Sequence, residues 1–527
     1  MSSNRKWIIA FLLGILTGFV IYEFFPPRRI AVEREAQEEF GRLAEIATEI
    51  SKYYVDEVDP EALFDGAVEG MLKKLDPHTV YIPSKEMEDI AERFQGQFEG
   101  IGVEFIVQEH YPTVVSPIQG SPSDLLGIRA GDKIVAVENE STFDMSSDDV
   151  ALRLKGPRGS RVNVAIQRIG EADSLYFTIQ RDKIPIRSVL TSFMYDDTTG
   201  FIKLTRFSRT TEEEVSEALK KLKEKGMNRL VLDLRNNSGG YLDQAVAVTN
   251  KFVPEGRKIV STEGRIPQAN EAYFADDDPE KTNAPLIVLI NNGSASASEI
   301  VAGAVQDTDR GLIVGERSFG KGLVQNQFGL NDGSAVRVTV AKYLTPSGRP
   351  IQRPFSASKR EYYESAFAED REAAAQNDST RLKYFTEGGR AVFGGGGIAP
   401  DIQLVWENRA SPLIYELLRR NLFFKIGADF AANHRELADD NARFMTEFET
   451  PDAVVEELKQ KAEDASIIFS PSEWRKNRTV IKKRLKSEIA RNLWNSAAYY
   501  ETQIREDLKI RSAAREFSLA PIKEESR

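Results

Sequence analysis

The hydrophobic rhythm of the chain changes along its length, and each change marks a different kind of segment. Behind Arg5 and Lys6 runs an apolar stretch, Trp7 to Tyr22, which ends at Glu23 and the pair Pro26-Pro27. It exceeds the ~7–15 apolar residues of a signal peptide and no small-x-small cleavage pattern follows, so residues 1–29 are expected to form an uncleaved transmembrane anchor, with a cleaved signal segment as the alternative. Residues 30–97 carry apolar positions at helical spacing (Phe40, Leu43, Ile46, Ile50; then Leu63, Ala67, Met71), broken by LDPHTVYI at 75–82, and predict a helical N-terminal region. From Phe98 short β-runs take over: GIGVEFIV, PTVVSPI, DKIVAVE, RVNVAIQR and LYFTIQR, with helices expected over 121–132 and 146–156. Across 183–407 apolar strands alternate with amphipathic helices, the signature of an α/β core with largely parallel strands. A helical extension over 408–527 repeats apolar positions (Leu413, Leu417, Leu418; Val454, Leu458; Ile481, Leu485, Ile489) and is expected to serve docking or dimerisation.

The β-rich block resembles a PDZ domain of circularly permuted type over residues 98–182, on the strength of Gly100-Ile101-Gly102-Val103 and of GIRAGDKIVAVE. A Gly-x-Gly loop suits the capture of a chain terminus, because unhindered backbone N–H groups can converge on its carboxylate while an adjacent strand edge accepts the peptide. The expected ligand is a polypeptide with a free, apolar C-terminus.

In α/β sheets chemistry gathers at the loops that leave the strand carboxyl ends, here NNSGG (236–240) and NNGSAS (291–296). The second loop opens into the serine run Ser294, Ser296, Ser298. Ser296 falls at the helix N-terminus, where the dipole and the Ala297 N–H favour an oxyanion. Ser296-x-x-Glu299 is equally a capping box that needs no chemistry. The base question separates the two readings. His78, His110 and His434 all lie outside the α/β core by sequence, so a Ser-His-Asp triad is not expected. Lys321, in Phe319-Gly320-Lys321-Gly322 between apolar strands, is the better base, with Gln325 placed to hold its amine. A lysine does this work only when neutral, which calls for about 4 kcal/mol of desolvation or like-charge repulsion.

Composition narrows the field. The net charge of −11 is spread along the chain without a basic stripe, which argues against nucleic acid, and there is no cysteine for thiolate chemistry. The histidines show no metal-ligand spacing, so no metal or other cofactor is expected.

SASASEIVAGAVQD followed by GLIVGERSFGKGLVQ resembles the C-terminal processing peptidases, tail-specific serine proteases with an embedded PDZ domain. LDPHTVYI, VLDLRNNSGG and GGGGIAPDI extend the likeness over about residues 40–405. The resemblance implies a ClpP/crotonase-like α/β core with Ser296 as nucleophile, Lys321 as general base and Gln325 assisting it. It further implies an oxyanion hole of the Ala297 N–H and a glycine of NNSGG, Gly239 first and Gly240 as the alternative. The activity implied is endopeptidase cleavage through an acyl-enzyme. The expected location is the inner (cytoplasmic) membrane with the catalytic part in the periplasm or extracytoplasmic space, and the helical extensions could recruit a second copy or an adaptor. A catalytically silent, membrane-tethered PDZ scaffold is the competing reading. Two segments depart from the shorter family pattern: the extension, and a charged insertion at 352–393, expected as a solvated helix or loop.

Overall fold

The computed structural model describes residues 28–168, 170–355, 358–368, 371, 381–404 and 411–519, with side chains from residue 37 onward. The apolar run from Trp7 to Tyr22 lies outside these residues. Among the described residues no helix is long and apolar enough to cross a membrane. The chain divides into two compact units, one ending at Tyr81 and one beginning at Ile82. The boundary therefore falls inside the stretch expected as one helical region, and the helix Ser84–Gln95 belongs to the second unit.

The first unit holds the helices Arg28–Tyr53 and Pro60–Leu72. The second starts where it does because Asp59 accepts a hydrogen bond from the Glu61 N–H at 2.9 Å and Pro60 occupies the first helical position, where no N–H is needed. Phe40, Leu43, Ile46 and Phe64 follow the helical period but remain exposed.

In the second unit the PDZ domain hangs from a two-stranded ribbon. Gln97–Gly100 pairs antiparallel with Asp182–Pro185, Gln97 opposite Pro185 and Gly100 opposite Asp182, so the domain leaves and rejoins the chain side by side. Its five expected strands are present, and alternation places Val162, Val164 and Ile166 inside while Arg161, Asn163 and Gln167 face out. Of the two expected helices, Ser147–Leu154 forms. The other shortens to Pro122–Leu125, because Gly127 and Gly131, both at positive φ, turn the chain into the next strand.

The core sheet runs Val189–Met194, Thr199–Leu204, Arg229–Asp233, Leu286–Ile290, Leu312–Gly315 and Ile402–Gln403, parallel except for the first, antiparallel edge strand. All five residues of Leu286–Ile290 are fully buried, so both faces must be covered. Helices Thr211–Glu224, Leu242–Asn250 and Ala297–Asp307 cover the face bearing Leu232, Val288 and Ile290. The opposite face, bearing Phe201, Val231 and Leu289, is covered by Ile504, Ile510 and Phe517 of the C-terminal extension. An antiparallel sheet that includes Leu323–Gly329 and Ala335–Leu344 stands beside this core.

Two expectations are corrected here. The apolar stripe of the extension, expected to serve docking or dimerisation, is buried within the chain itself: Leu417, Leu458, Ile481 and Leu485 lie in one cluster with Phe423 and Trp474. The extension also grips the PDZ domain, where Lys425 and Lys133 hydrogen-bond Glu109 and hold its carboxyl down at about 2, and Ser496 Oγ donates to Glu104 at 2.8 Å. The insertion, expected to be solvated, lays Tyr362 of the helix Lys359–Glu364 against Phe319 and Ala295 in a buried cluster.

Replacing Ile510 by Ala, which opens a cavity beneath the sheet, should lower stability by about 2–5 kcal/mol. The same change at Ile468, which is 98% exposed, should stay within about 0.5 kcal/mol. Urea unfolding of the two variants beside the parent measures the difference.

Candidate active site

The three serines differ in what their hydroxyls do. Ser294 is fully buried, donates to the Leu234 carbonyl at 2.8 Å and accepts from the Asn291 N–H at 3.0 Å. Ser298, also fully buried, donates to the Asn237 carbonyl at 2.8 Å. Both therefore tie the two strand-end loops together. Ser296 alone of the three is not buried; it opens the helix in a capping box, with Glu299 reaching back to its N–H at 2.8 Å. Its backbone sits at φ 55°, ψ −114°, a conformation that non-glycine residues rarely adopt and that costs of order 1–3 kcal/mol. The turn that leaves the strand thus presents Ser296, partly exposed, at the start of the helix Ala297–Asp307.

Lys321 lies on the loop 318–322 and is brought to Ser296 by two shared partners. The Ser296 and Lys321 N–H groups both donate to the same oxygen of Glu299, Oε2, each at 2.8 Å. Tyr343 Oη donates to the carbonyls of the same two residues, at 2.9 and 2.7 Å. Gly320 N–H and Ser318 Oγ complete the donors around Glu299 Oε1. Complete burial pushes the Glu299 carboxyl up, against the pull of these donors. Burial, with Glu299 nearby, raises the Tyr343 hydroxyl well above its ordinary value, so it stays a donor. The Lys321 amine, half-buried, donates to Gln325 Oε1 at 2.8 Å, across the expected four-residue spacing.

The NNSGG loop lies directly against this centre. A Cβ on Gly239 (φ +99°) would stand 2.8 Å from Ser296 Cβ and 2.9 Å from the Ala297 nitrogen, so only glycine fits there. Its own N–H, however, donates to Asn237 Oδ1 at 2.9 Å. The Ala297 and Gly240 N–H groups have no acceptor among the described residues. The loop is anchored by Asp233, fully buried, which takes both Arg235 and Lys203 at 2.7 and 3.0 Å, and Arg235 reaches on to Asp507 of the extension at 3.3 Å.

In the PDZ domain the Ile101 carbonyl is taken by the N–H and hydroxyl of Ser123, and the Gly102 carbonyl by the Ile118 N–H and the Ser121 hydroxyl. The Ile101 and Gly102 N–H groups have no acceptor among the described residues, and Gly100 ends the ribbon strand just before them. Val103 begins a strand paired on one side only within its sheet. His110 pairs with Asp144 inside the PDZ domain and His434 with the Phe430 carbonyl inside the extension. Among the described residues no group of three His, Asp or Glu side chains is placed to hold a metal ion.

Sequence reasoning saw Glu299 only as a helix cap and passed over Tyr343 and Asn237. The one available signal was a carboxylate in the first turn of a helix whose next six residues, Ile300 to Val305, carry no polar side chain. Nothing local in AKYLTP marks Tyr343.

Comparison with known proteins matches four segments of the chain. Residues 198–355 match Peptidase family S41, 113–168 a PDZ domain, 27–86 the "Activating protease CtpB N-terminal domain" and 413–495 a family of unknown function. A carboxy-terminal-processing protease of Bartonella bacilliformis is 36% identical over 66% of this chain and 80% of its own length. The chain belongs to the carboxy-terminal processing proteases of family S41. Carboxy-terminal processing protease CtpB of Bacillus subtilis is 34% identical over 67% of this S41 chain and 76% of its own. A solved photosystem II D1 C-terminal processing protease is 28% identical, covering 69% of this chain and 88% of that one with a TM-score of 0.36. This S41 peptidase is accordingly a serine-type enzyme.

Asp233 ties the stability of this peptidase to pH. Burial alone would raise its carboxyl, but Arg235 and Lys203 hold it down at about 2, below its ordinary 3.8. A depressed carboxyl contributes stability that is full above about pH 4 and is lost as pH falls toward 2. Thermal midpoints measured from pH 5 to 2 should fall, and Asp233→Asn should be less stable at pH 5 and lose this part of the slope.

Proposed function

We propose that this S41 enzyme cuts polypeptides through a Ser296/Lys321 dyad and an acyl-enzyme, on substrates delivered by their C-terminal tails. The observation that carries the reading is the pairing of a partly exposed Ser296 at a strained helix start with Lys321, both backbones fixed to Glu299 and Tyr343. Lys321 in its neutral form takes the Ser296 proton as Oγ attacks the scissile carbonyl, and the ammonium then gives that proton to the leaving amine. Gln325 Oε1, accepting from the amine, restrains the lysine head. The oxyanion is received by the Ala297 N–H and, of the two glycines, by Gly240, since Gly239 spends its N–H on Asn237 and instead provides close approach. Water then enters by the same route and releases the acyl group.

The tail is held in the PDZ domain, where the N–H groups of Ile101 and Gly102 suit a terminal carboxylate and the free edge at Val103 suits strand addition. The core is assigned the ClpP/crotonase-like arrangement. The run from Trp7 to Tyr22 anchors the enzyme in the inner membrane with its catalytic part outside the cytoplasm, a reading supported by its length and its basic flank alone. The silent-scaffold reading is disfavoured because nothing on Ser296, Lys321 or Gln325 is missing.

Ser296→Ala and Lys321→Ala should each lower turnover of a tail-bearing protein substrate by roughly 10³-fold or more with unchanged thermal midpoints. Lys321→Arg should be equally inactive, because a guanidinium stays protonated at usable pH. Ser294→Ala and Ser298→Ala, which break buried loop ties, should show lowered thermal midpoints. Near-normal turnover by the arginine variant rules out the general-base role. Activity should rise with pH through the amine's titration.

Recognition is tested on full-length Ser296→Ala, which binds without cutting. Amidating the tail peptide, or ending it in Asp, should cost about 1–3 kcal/mol of binding by calorimetry. Equal affinities for the three peptides refute tail recognition.

A further inference from the structure

The loop that carries Lys321 leaves no backbone polar group unaccounted for, and the source of its partners is uneven. On the donor side, Ser318 N–H bonds the Ile398 carbonyl, Phe319 N–H the Ser294 carbonyl, and Gly320 and Lys321 N–H the Glu299 carboxylate. Gly322 N–H goes to Gln352 Oε1 at 2.9 Å. On the acceptor side Tyr343 satisfies Lys321 and Gly322 through its hydroxyl and its N–H. The Gly320 carbonyl is met by the Arg353 N–H at 3.0 Å. The Ser318 and Phe319 carbonyls are met by the Arg371 guanidinium, at 2.7 and 3.1 Å. Gln352, Arg353 and Arg371 all belong to the insertion at 352–393.

The insertion is braced for this task. Arg353 lies over the rings of Phe319 and Tyr362, 4.6 and 4.4 Å from their centroids, and donates to the Tyr362 carbonyl at 2.9 Å. Tyr362 Oη accepts from Gln352 Nε2 at 3.0 Å, orienting the amide whose oxygen holds Gly322. Arg371 ties back to the Ala366 carbonyl at 3.1 Å, and its grip on Ser318 extends to the Gly396 carbonyl, also at 3.1 Å. At Gly320 (φ +91°) a Cβ would stand 2.9 Å from Arg353 Cγ, so the loop and the insertion are fitted to each other at van der Waals distance.

We infer that the described part of the insertion, Gln352, Arg353, Tyr362 and Arg371, is a positioning strap for the base loop, with Arg371 and Tyr362 as positioning residues that hold the Lys321 backbone in register with Ser296 and so set the surroundings of its amine. The inference rests on Lys321 being the general base. A merely structural insertion would lower stability and leave the titration of the active site where it was. A strap sets the solvation of the amine: loosening it admits water, favours the ammonium, and moves the rising limb of activity to higher pH.

The test uses the full chain and an internally quenched peptide ending in a free valine carboxylate. Arg371→Ala should lower kcat about 10-fold with KM unchanged and shift the rising pH limb upward by about half a unit or more, with Arg371→Lys, which still donates to a carbonyl, recovering part of both. Tyr362→Phe, which keeps the ring packing and removes the hydroxyl that Gln352 and Arg353 bond, should move both quantities the same way by a smaller amount. It decides the matter if Arg371→Ala does not fold. Arg360→Ala, an exposed charge on the same insertion, should match the parent. The strap is overturned if Arg371→Ala and Tyr362→Phe keep the parental kcat and pH limb, or if Arg360→Ala reproduces the loss. Lys321→Ala run beside them separates the two ideas: an active Lys321→Ala variant defeats the base assignment and the strap together, whereas an inactive one beside unaffected strap variants defeats the strap alone.

Discussion

A single carboxylate, that of Glu299, fixes the relation between the two halves of the site. It is fully buried and grounded in the helix that begins at Ser296, yet its other contacts lie on the loop 318–322. An ion in such a place is tolerated only if donors surround it, and the donors here are the backbone groups whose positions matter for chemistry. The burial that makes the carboxylate costly to place makes its bonds strong, so the nucleophile turn and the base loop share one anchor. Tyr343 repeats the arrangement from the opposite side, with a hydroxyl offered to two carbonyls.

The fold serves this anchor by bringing unlike segments to one place. Parallel strands deliver the NNSGG loop and the Ser296 turn to the same edge of the sheet, and buried Ser294 and Ser298 lace those two loops together. The antiparallel sheet brings Gln325 and Tyr343, and the insertion closes over Phe319. Each contributor is rigid for its own reason, through strand pairing, burial of apolar side chains or satisfied backbone groups. The strained backbone at Ser296 persists because all of these over-determine it.

What could be read from the sequence follows the range of the forces involved. Periodicity reports local burial, and it located the PDZ strands, the core strands and the helix after Ser296. The pairing of Lys321, on its loop, with Gln325, four residues on in the strand Leu323–Gly329, was legible because it too is local. Tyr343 and Arg371 act at a distance along the chain, and nothing in their neighbours announces it. The charges around Tyr362 and Tyr363 suggested solvent because a charge count cannot tell that arginines here serve as hydrogen-bond donors to carbonyls and as covers for aromatic rings. The apolar stripe of the extension was seen correctly as a surface to be covered, but its destination was not. The continuous run LIVLI at 286–290 did hold the missing clue, since a strand apolar on both sides requires a layer on each.

That second layer arrives late. Arg505, beside Ile504 in the segment that covers the sheet, bonds the Met194 and Tyr195 carbonyls of the edge strand's end, 311 and 310 residues away in sequence. At about 5–20 residues per second of synthesis, the edge strand waits on the order of 15–60 s for its cover. During that interval the strands can pair and the Ser296 helix can pack on its own side, while Phe201, Val231 and Leu289 face water. Completion of the sheet is thus separated in time from translation of the residues that would do the cutting, since its second face stays uncovered until the segment around Arg505 has been made.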